Sequence, residues 1–567
     1  MAGFFLSRSA PSAAVHAQFH DHGFAEPREL SLPGWTLLHY SYTLGGPEML
    51  LTRGEDWIAV AGSFVFDGRM GTAALEDALA HLDPLAPDWR RIGGQFALVL
   101  HRGGRTFLLS DFFGCFQAFH DADDRFFSTS FLAAARALPR ASFSAQGVYE
   151  WAFNVVPLGR DTVLAELQTH GPEHVVELIV EGTRRHRLDK ALRPIGGDPL
   201  RTAADALQAI VAPHVAAFGD DIFCPLSGGL DSRLVLAALR AAGSKPHLYV
   251  YGPNGSEDVE IAQAIGRAEG IRVEHINKGA HAAVAPEVFP ELVEANFHQF
   301  DALPTYGNIF DNGGHAAAQF ARHVGGALTA SGGAGEIFRN FFYLPNHRIR
   351  PHALASTFFA RFDSRDATDL FAPAEFLHVI EGKIADALGL ADTRAPIDRL
   401  HLEEVYPRVR AAALFGREIS LEARFSPYLM PFLDQQLVAE AMTLPLHAKN
   451  AGRFEAQLIH AIDPALARHP SAYGHHFAGP PNLRHRFDEW STRVRPPWVR
   501  RATYALRRRM GAMHDEHGGL LSPDYMGRVI DLEFPAMRRF FRMERIADSG
   551  MWRRIACLEY LAKQLNL

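Results

Sequence analysis

The sequence lacks any apolar run of membrane-spanning length. Its first apolar cluster, Phe4-Phe5-Leu6, is too short for a signal-peptide core and has no basic flank. Cysteine is scarce: Cys115, Cys224 and Cys557 are the only three, with no close spacing between them. That excludes a disulfide framework or a cysteine-rich zinc cluster and suits a reducing compartment. Positive charge is not in excess either; the formal net charge is −7, which argues against a dedicated nucleic-acid binder. No internal repeat or low-complexity tract is present. What is left is a globular composition, 47% hydrophobic and 21% charged over 567 residues. The length predicts two domains with room for a third segment, and the expected setting is cytoplasmic, without membrane or nucleic-acid partners.

The stretch that carries most chemistry is Ile222-Phe223-Cys224-Pro225-Leu226-Ser227-Gly228-Gly229-Leu230-Asp231-Ser232-Arg233. A short apolar strand breaks at Ser-Gly-Gly and opens a helix through Leu234, Val235, Ala238 and Leu239, capped near Gly243. Glycines permit close backbone approach, and the helix start offers unpaired N–H groups at the positive end of its dipole. This is an anion site suited to a polyphosphate. Ser227 and Ser232 add hydroxyl donors and Asp231 a metal ligand. The pattern is not the Walker loop, which ends in Lys-Ser/Thr. Ser-Gly-Gly-x-Asp-Ser resembles the PP-loop of ATP pyrophosphatases, which split ATP between the α and β phosphates.

Around this stretch the chain changes texture near residue 200. Before it lie strand signals: Trp57 to Phe66, Gly94 to His101 and Thr106 to Asp111, with a short helix over 72–81. An αββα sandwich fits them, and the Pro- and Gly-rich run 191–199 reads as a linker. After it come a helix over 203–218, the phosphate loop, a strand over 247–251, a helix over 258–269 and a strand over 271–276. A strand over 327–330 then runs into Ser331-Gly332-Gly333. Alternation of this kind predicts a doubly wound parallel sheet, with the two glycine turns facing each other at its carboxyl edge. Beyond 350 the pattern is helical. It includes an arginine-rich stretch (Arg484, Arg486, Arg500, Arg501, Arg507, Arg508, Arg509), read as a solvated face, and an amphipathic helix over 551–565.

Over about residues 50 to 480 the chain resembles the asparagine synthetase family. Gly94-Gln95-Phe96-Ala97-Leu98 and Leu109-Ser110-Asp111-Phe112-Phe113-Gly114 look like its N-terminal strands. Ser331-Gly332-Gly333-Ala334-Gly335-Glu336-Ile337-Phe338 looks like its second nucleotide loop, and Arg424-Phe425 with Pro431-Phe432-Leu433-Asp434 like its late motif. The resemblance implies an Ntn-hydrolase-like glutaminase domain over 1–195, an ATP-pyrophosphatase domain over 200–480 and a helical extension over 481–567. It implies ATP and Mg2+ as cofactors, with adenylation of a small-molecule or peptide carboxylate and attack by an amine that expels AMP. The implied nucleotide ligands are Leu226, Ser227, Gly228, Gly229, Asp231, Ser232, Tyr251, Asp258, Ser331 and Gly332. Asp231 and Glu336 are the expected metal ligands, and Asp231, Glu336 and His475 the expected catalytic groups. For Asp258 a plain helix N-cap is the competing assignment, and for Arg424 a structural salt bridge.

The departures matter as much. Glutamine-dependent members begin with a nucleophilic cysteine at residue 2, where this chain has Ala2, and their Asn-Gly-Glu stands here as Ala61-Gly62-Ser63. Cys115 reads as packing. No glutaminase activity is expected, as in the relatives that close β-lactam rings or lasso peptides. The second loop is one residue shorter than the family's, leaving Glu336 as its only acid. The lysine expected near 473–477 is absent, with His475 or His476 as substitute cation. His16 with His20, and His514 with His517, are chance surface pairs with no zinc site. An ammonia- or glutamine-fed asparagine synthetase, a tRNA-modifying PP-loop enzyme and a non-catalytic nucleotide-binding relative stay open, as does a homodimer.

Overall fold

The computed structural model describes residues 3–278, 283–344, 346–496, 499–500, 502–503, 506 and 519–567. Ala2, Arg501, Arg507, Arg508, Arg509, His514 and His517, named above, lie outside the described residues.

Residues up to about 190 form two six-stranded antiparallel sheets. One is centred on Gly3–Ser7, flanked by Phe126–Ser128 and Trp35–Tyr40; the other on Arg105–Ser110, Phe96–Arg102 and Asp56–Gly62. Gly3–Ser7 is buried at every residue, because its sheet has the second sheet on one face and helices on the other. Helices Ala13–Asp21 and Phe131–Ala137 pack on the first side, and Gly71–His81 on the second. The expected single strand from Trp57 to Phe66 is two pieces. It stops at Gly62, whose φ of +96° would press any Cβ to 2.3 Å from the Gln95 carbonyl, and Val65–Phe66 pairs separately with Ile92–Gly93.

The second half is built on a five-stranded, all-parallel sheet. In chain order its strands are Ile222–Pro225, His247–Tyr251, Val273–Ile276, Leu328–Ala330 and Tyr428–Leu429, arranged in space as third, second, first, fourth, fifth. The order reverses between the first and fourth strands, so the loops leaving their carboxyl ends diverge and open a crevice. Helix Pro199–Phe218 leads into the sheet. Asp198 caps it from Leu200 N at 3.3 Å and Pro199 supplies a preset φ, so it starts four residues before the expected 203.

The halves are stitched together at main-chain level. Thr43 N and Leu44 N donate to the carbonyls of Arg424 and Phe425 at 3.1 and 3.0 Å. Tyr428 N donates to Ser63 Oγ at 2.8 Å. The expected C-terminal extension is no appendage: helix Ser549–Leu565 returns to the N-terminal half, where Trp151 Nε1 donates to the Arg554 carbonyl at 3.2 Å. Arg424 belongs to this stitching as well. It is buried, and its guanidinium donates to the carbonyls of His298 and Gln299. Among the described residues it forms no salt bridge and serves these carbonyls instead.

Candidate functional site

The two glycine turns meet at the crevice. A Cβ on Gly332 would lie 2.9 Å from Ser232 N, and one on Gly335 would lie 1.8 Å from Asp231 Oδ1, so the second turn presses directly on the start of helix Asp231–Ala241. Met430 and Phe415 fill the space on the far side of Gly333.

Within the first loop the amides are already engaged. Ser227 N donates to Ser232 Oγ at 3.0 Å and Gly229 N to Ser227 Oγ at 3.1 Å. The two hydroxyls are 2.8 Å apart. Gly228 N donates to the Asp258 carboxylate at 2.8 Å. Asp258 is therefore not the cap of helix Glu257–Glu269, a position Ser256 holds; it reaches across to lay an oxyanion on the glycine turn. Gly228 must be glycine because a Cβ would meet Ala472 and Asp258, whereas above Gly229 only Ser227 Oγ lies within 4 Å. Gly229 is thus the open approach. Leu226 is buried and its N–H goes to the Tyr249 carbonyl, which leaves it a wall rather than a donor.

Asp231, at the helix start, pairs with Arg339 at 2.5 Å. Arg339 also holds Glu455 at 2.9 Å. Burial works against the guanidinium charge, but Asp231 and Glu455 more than offset it. Glu455 is fully buried, and burial together with Asp231 pushes its carboxyl well above the usual range. Asp231 and Glu455 thus share one arginine. Glu336 accepts the Tyr406 hydroxyl at 2.6 Å, and burial and that carboxylate push Tyr406 well up. Ser331 Oγ accepts from Gly333 N at 3.1 Å and serves the turn itself.

The loop over 469–477 leans on this centre. Arg233, with no exposed surface, donates to the carbonyls of His469 and Pro470 and lies 4.8 Å from the Phe477 ring. Ala472 N donates to Gly228 O at 3.1 Å. His475 sits farther along, its ring among Tyr473, Phe477 and His485 and its Nδ1 3.2 Å from the Tyr473 carbonyl. The cation beside Asp231 is Arg339, a residue that sequence reasoning passed over.

Two cavities open off the seam. The larger, about 630 Å³, is lined by Glu336, Arg339, Arg361, Lys449, Tyr473 and Arg500 among others. The second, about 260 Å³, holds Tyr251 at the end of the second strand with Lys278, Tyr306, Gln319, Arg322 and Glu418. Lys278 Nζ stands 3.9 Å from the Tyr251 ring centre, and burial lowers its pKa. Glu418 accepts the Tyr428 hydroxyl at 2.7 Å, and burial pushes it up to about 7. Tyr306 stacks on Phe415, which borders Gly333, so this cavity abuts the second loop. The structure thus brings together Ser227, Gly228, Gly229, Asp231, Ser232, Asp258, Gly332 and Glu336, sets Tyr251 in the neighbouring cavity and keeps His475 at the edge.

Among the described residues no group of three acid, histidine or cysteine side chains is poised to hold a metal. The segment Ala61-Gly62-Ser63 is framework, since Ser63 Oγ accepts from the Tyr428 amide. Cys115 is fully buried, its thiol pushed well up by burial and by Asp111.

No family model and no curated protein sequence matches the chain. Among solved structures, similar ones include a glutamine phosphoribosylpyrophosphate amidotransferase from B. subtilis complexed with ADP and GMP. It is 10% identical, with 48% of this chain and 90% of that one covered and a TM-score of 0.24. Another, described as the allosteric regulatory enzyme of purine biosynthesis, is 12% identical, covering 52% and 77%, with a TM-score of 0.22. No described helix is long and apolar enough to cross a membrane.

Proposed function

We propose that the chain is an asparagine synthetase-like, AMP-forming carbon–nitrogen ligase whose Ntn-hydrolase-like N-terminal half is scaffold. One observation carries this reading: glycine turns from the first and fourth strands of a parallel sheet press together at its switch point, with Asp231, Arg339 and Glu336 on the seam. A nucleotide polyphosphate fits there. Gly228 N already takes an oxyanion from Asp258, Gly229 leaves the approach open, and the first-turn amides of helix Asp231–Ala241 have no intrahelical acceptor. Magnesium that arrives on phosphates needs only one or two carboxylates from the protein, and Asp231 and Glu336 would supply them. Bound there, it neutralises charge on phosphate oxygens.

In the ligase step a substrate carboxylate oxygen attacks the α-phosphorus, and the bond to the bridging oxygen of pyrophosphate breaks. The first-turn amides of helix Asp231–Ala241, the hydroxyl pair of Ser227 and Ser232, and Arg339 would hold the departing charge. The amine nitrogen then attacks the acyl carbon, AMP leaves with the former carboxylate oxygen, and the nitrogen gives up a proton. Glu418, with a pKa near 7 in the adjoining cavity, suits that proton. Radiolabelled pyrophosphate exchange into ATP, run over a panel of carboxylic acids, tests the reading. Acid-dependent exchange with AMP as product is expected; ADP, or no exchange with any acid, overturns it.

A second reading is favoured by the Asp231–Arg339 pair, which neutralises the principal metal ligand: a nucleotide-binding protein without turnover. Tight ATP binding with no AMP formed under any acid would select it.

A further inference from the structure

Helix Leu483–Val494 forms part of the wall of the larger cavity, yet contains no buried residue. Its four large apolar side chains are Leu483, Phe487, Trp490 and Val494, with exposures of 78, 62, 48 and 51%. At about 100° per residue they fall within an arc of about 60°. Arg486 and Arg493 lie about 70–90° to one side of the stripe's centre line, and Arg484 about 90° to the other. His485, Asp488, Glu489 and Thr492 occupy the opposite side and line the cavity.

Both ends are pinned on that polar side, so the stripe's outward direction is built in. Asn482 caps the helix from His485 N at 2.8 Å and donates to the Tyr473 carbonyl at 2.9 Å. Arg500 donates to the carbonyls of Phe342 and Tyr343 at 3.0 and 2.8 Å and to that of Arg493 at 3.1 Å.

We infer that this helix docks the protein on an anionic lipid surface. An aromatic-containing apolar stripe edged on both sides by arginines is the pattern of a helix lying in a bilayer interface, with rings at headgroup level and guanidinium groups on lipid phosphates. The charge arrangement argues against a second copy of this chain as the occupant, because apposing two such stripes brings arginine rows against arginine rows. The net charge of −7 makes a basic edge at this one helix selective rather than general. Docked this way, the larger cavity has its wall helix against the membrane. The inference holds whether or not the ligase reading does.

Vesicle co-sedimentation tests it. The full chain is expected to sediment with phosphatidylglycerol-containing vesicles at low salt, to release as salt rises, and to ignore pure phosphatidylcholine. Phe487→Ser with Trp490→Ser should cut the partition about tenfold or more. Arg486→Ala with Arg493→Ala should cut it about 25-fold on anionic vesicles. All four side chains are at least partly exposed, so melting temperature should be unchanged in both variants. A wild-type chain that stays in the supernatant, or variants that sediment like it, overturns the inference. So does a dimer that the serine variant dissociates without vesicle binding, or binding to an acidic polypeptide and not to lipid.

Discussion

Arg339 holds two acids at once. Asp231 needs a cation beside it when no ligand is present, and Glu455, buried without exposure, needs a donor whether or not it is ionised. A planar guanidinium meets both at once through separate N–H groups; a lysine ammonium is a single point that must choose. Arg339→Lys is therefore expected to cost about 1–3 kcal/mol of stability by leaving a buried carboxyl under-satisfied. It should also lower pyrophosphate exchange by about 10- to 100-fold, read as melting temperature and initial rate on the same preparation. Glu418 gives a prediction in pH. Burial pushes its pKa up to about 7 from an ordinary value near 4.5, so the folded chain holds a proton there that the unfolded chain has released. Stability from this group is complete below pH 4.5 and is lost as pH rises through 7. Because Glu418 lines a cavity, the loss by pH 8 is about 2 kcal/mol rather than the full linkage value. Glu418→Gln should flatten that part of the stability–pH curve. If Glu418 takes the amine proton, the same variant should also remove the fall in ligation rate below pH 7.

At the scale of elements, the seam depends on a glycine that is there for its neighbour's sake. A Cβ at Gly335 would stand 1.8 Å from Asp231 Oδ1, so Gly335→Ala forces the Asp231 carboxylate off its arginine while every charged residue remains. Nucleotide affinity is expected to fall at least as far as in Asp231→Ala, measured by calorimetric titration with ATP; affinity equal to wild type would make the contact incidental. The two loops were legible in the sequence because glycine clusters after short apolar strands have a mechanical meaning, and the parallel sheet that carries them follows from the alternation of elements, whereas its strand order does not. The strand over 247–251 falls where its pattern places it. Arg339 was not legible. It lies four residues beyond the second turn among Phe338, Asn340 and Phe341, where nothing local distinguishes a core-facing arginine from a surface one. Glu418 and Lys278 come from a helix and a strand end 140 residues apart, and only the fold turns them into one cavity. The break at Gly62 was hidden for the opposite reason: an unbroken apolar run carries no mark of the carbonyl that bars the next step.

Across the whole molecule, the antiparallel sandwich and the parallel-sheet half are clasped at one buried carboxylate. Asp301 sits at the joint with φ +47° and accepts from Ser130 Oγ, Phe131 N and Leu132 N at 2.8, 2.7 and 2.9 Å. It thereby caps a helix of the N-terminal sandwich from the other domain. Arg417 Nη1 at 3.1 Å and His22 Nε2 at 3.2 Å complete its shell. Burial alone would raise its carboxyl, but Arg417 and His22 hold it well below the usual range. Truncating Asp301 leaves two helix amides without an acceptor and removes the carboxylate partner of a buried arginine that otherwise binds backbone carbonyls, a loss of about 3–5 kcal/mol. The consequence should be one of cooperativity as well as magnitude. Ser63, Thr43 and Leu44 bind backbone groups across the joint, Lys383 pairs with Glu150, Gln117 N donates to Ser420 Oγ, and the terminal helix binds from the other end. With Asp301 intact these contacts act together, and calorimetry should record one unfolding transition. In Asp301→Ala the parallel-sheet half should begin to unfold separately, giving two transitions or a calorimetric enthalpy that exceeds the van't Hoff value. ATP should move only the transition that belongs to the half carrying the glycine loops. A single transition that merely shifts downward would mean that the sandwich and the parallel sheet share their core without needing this clasp.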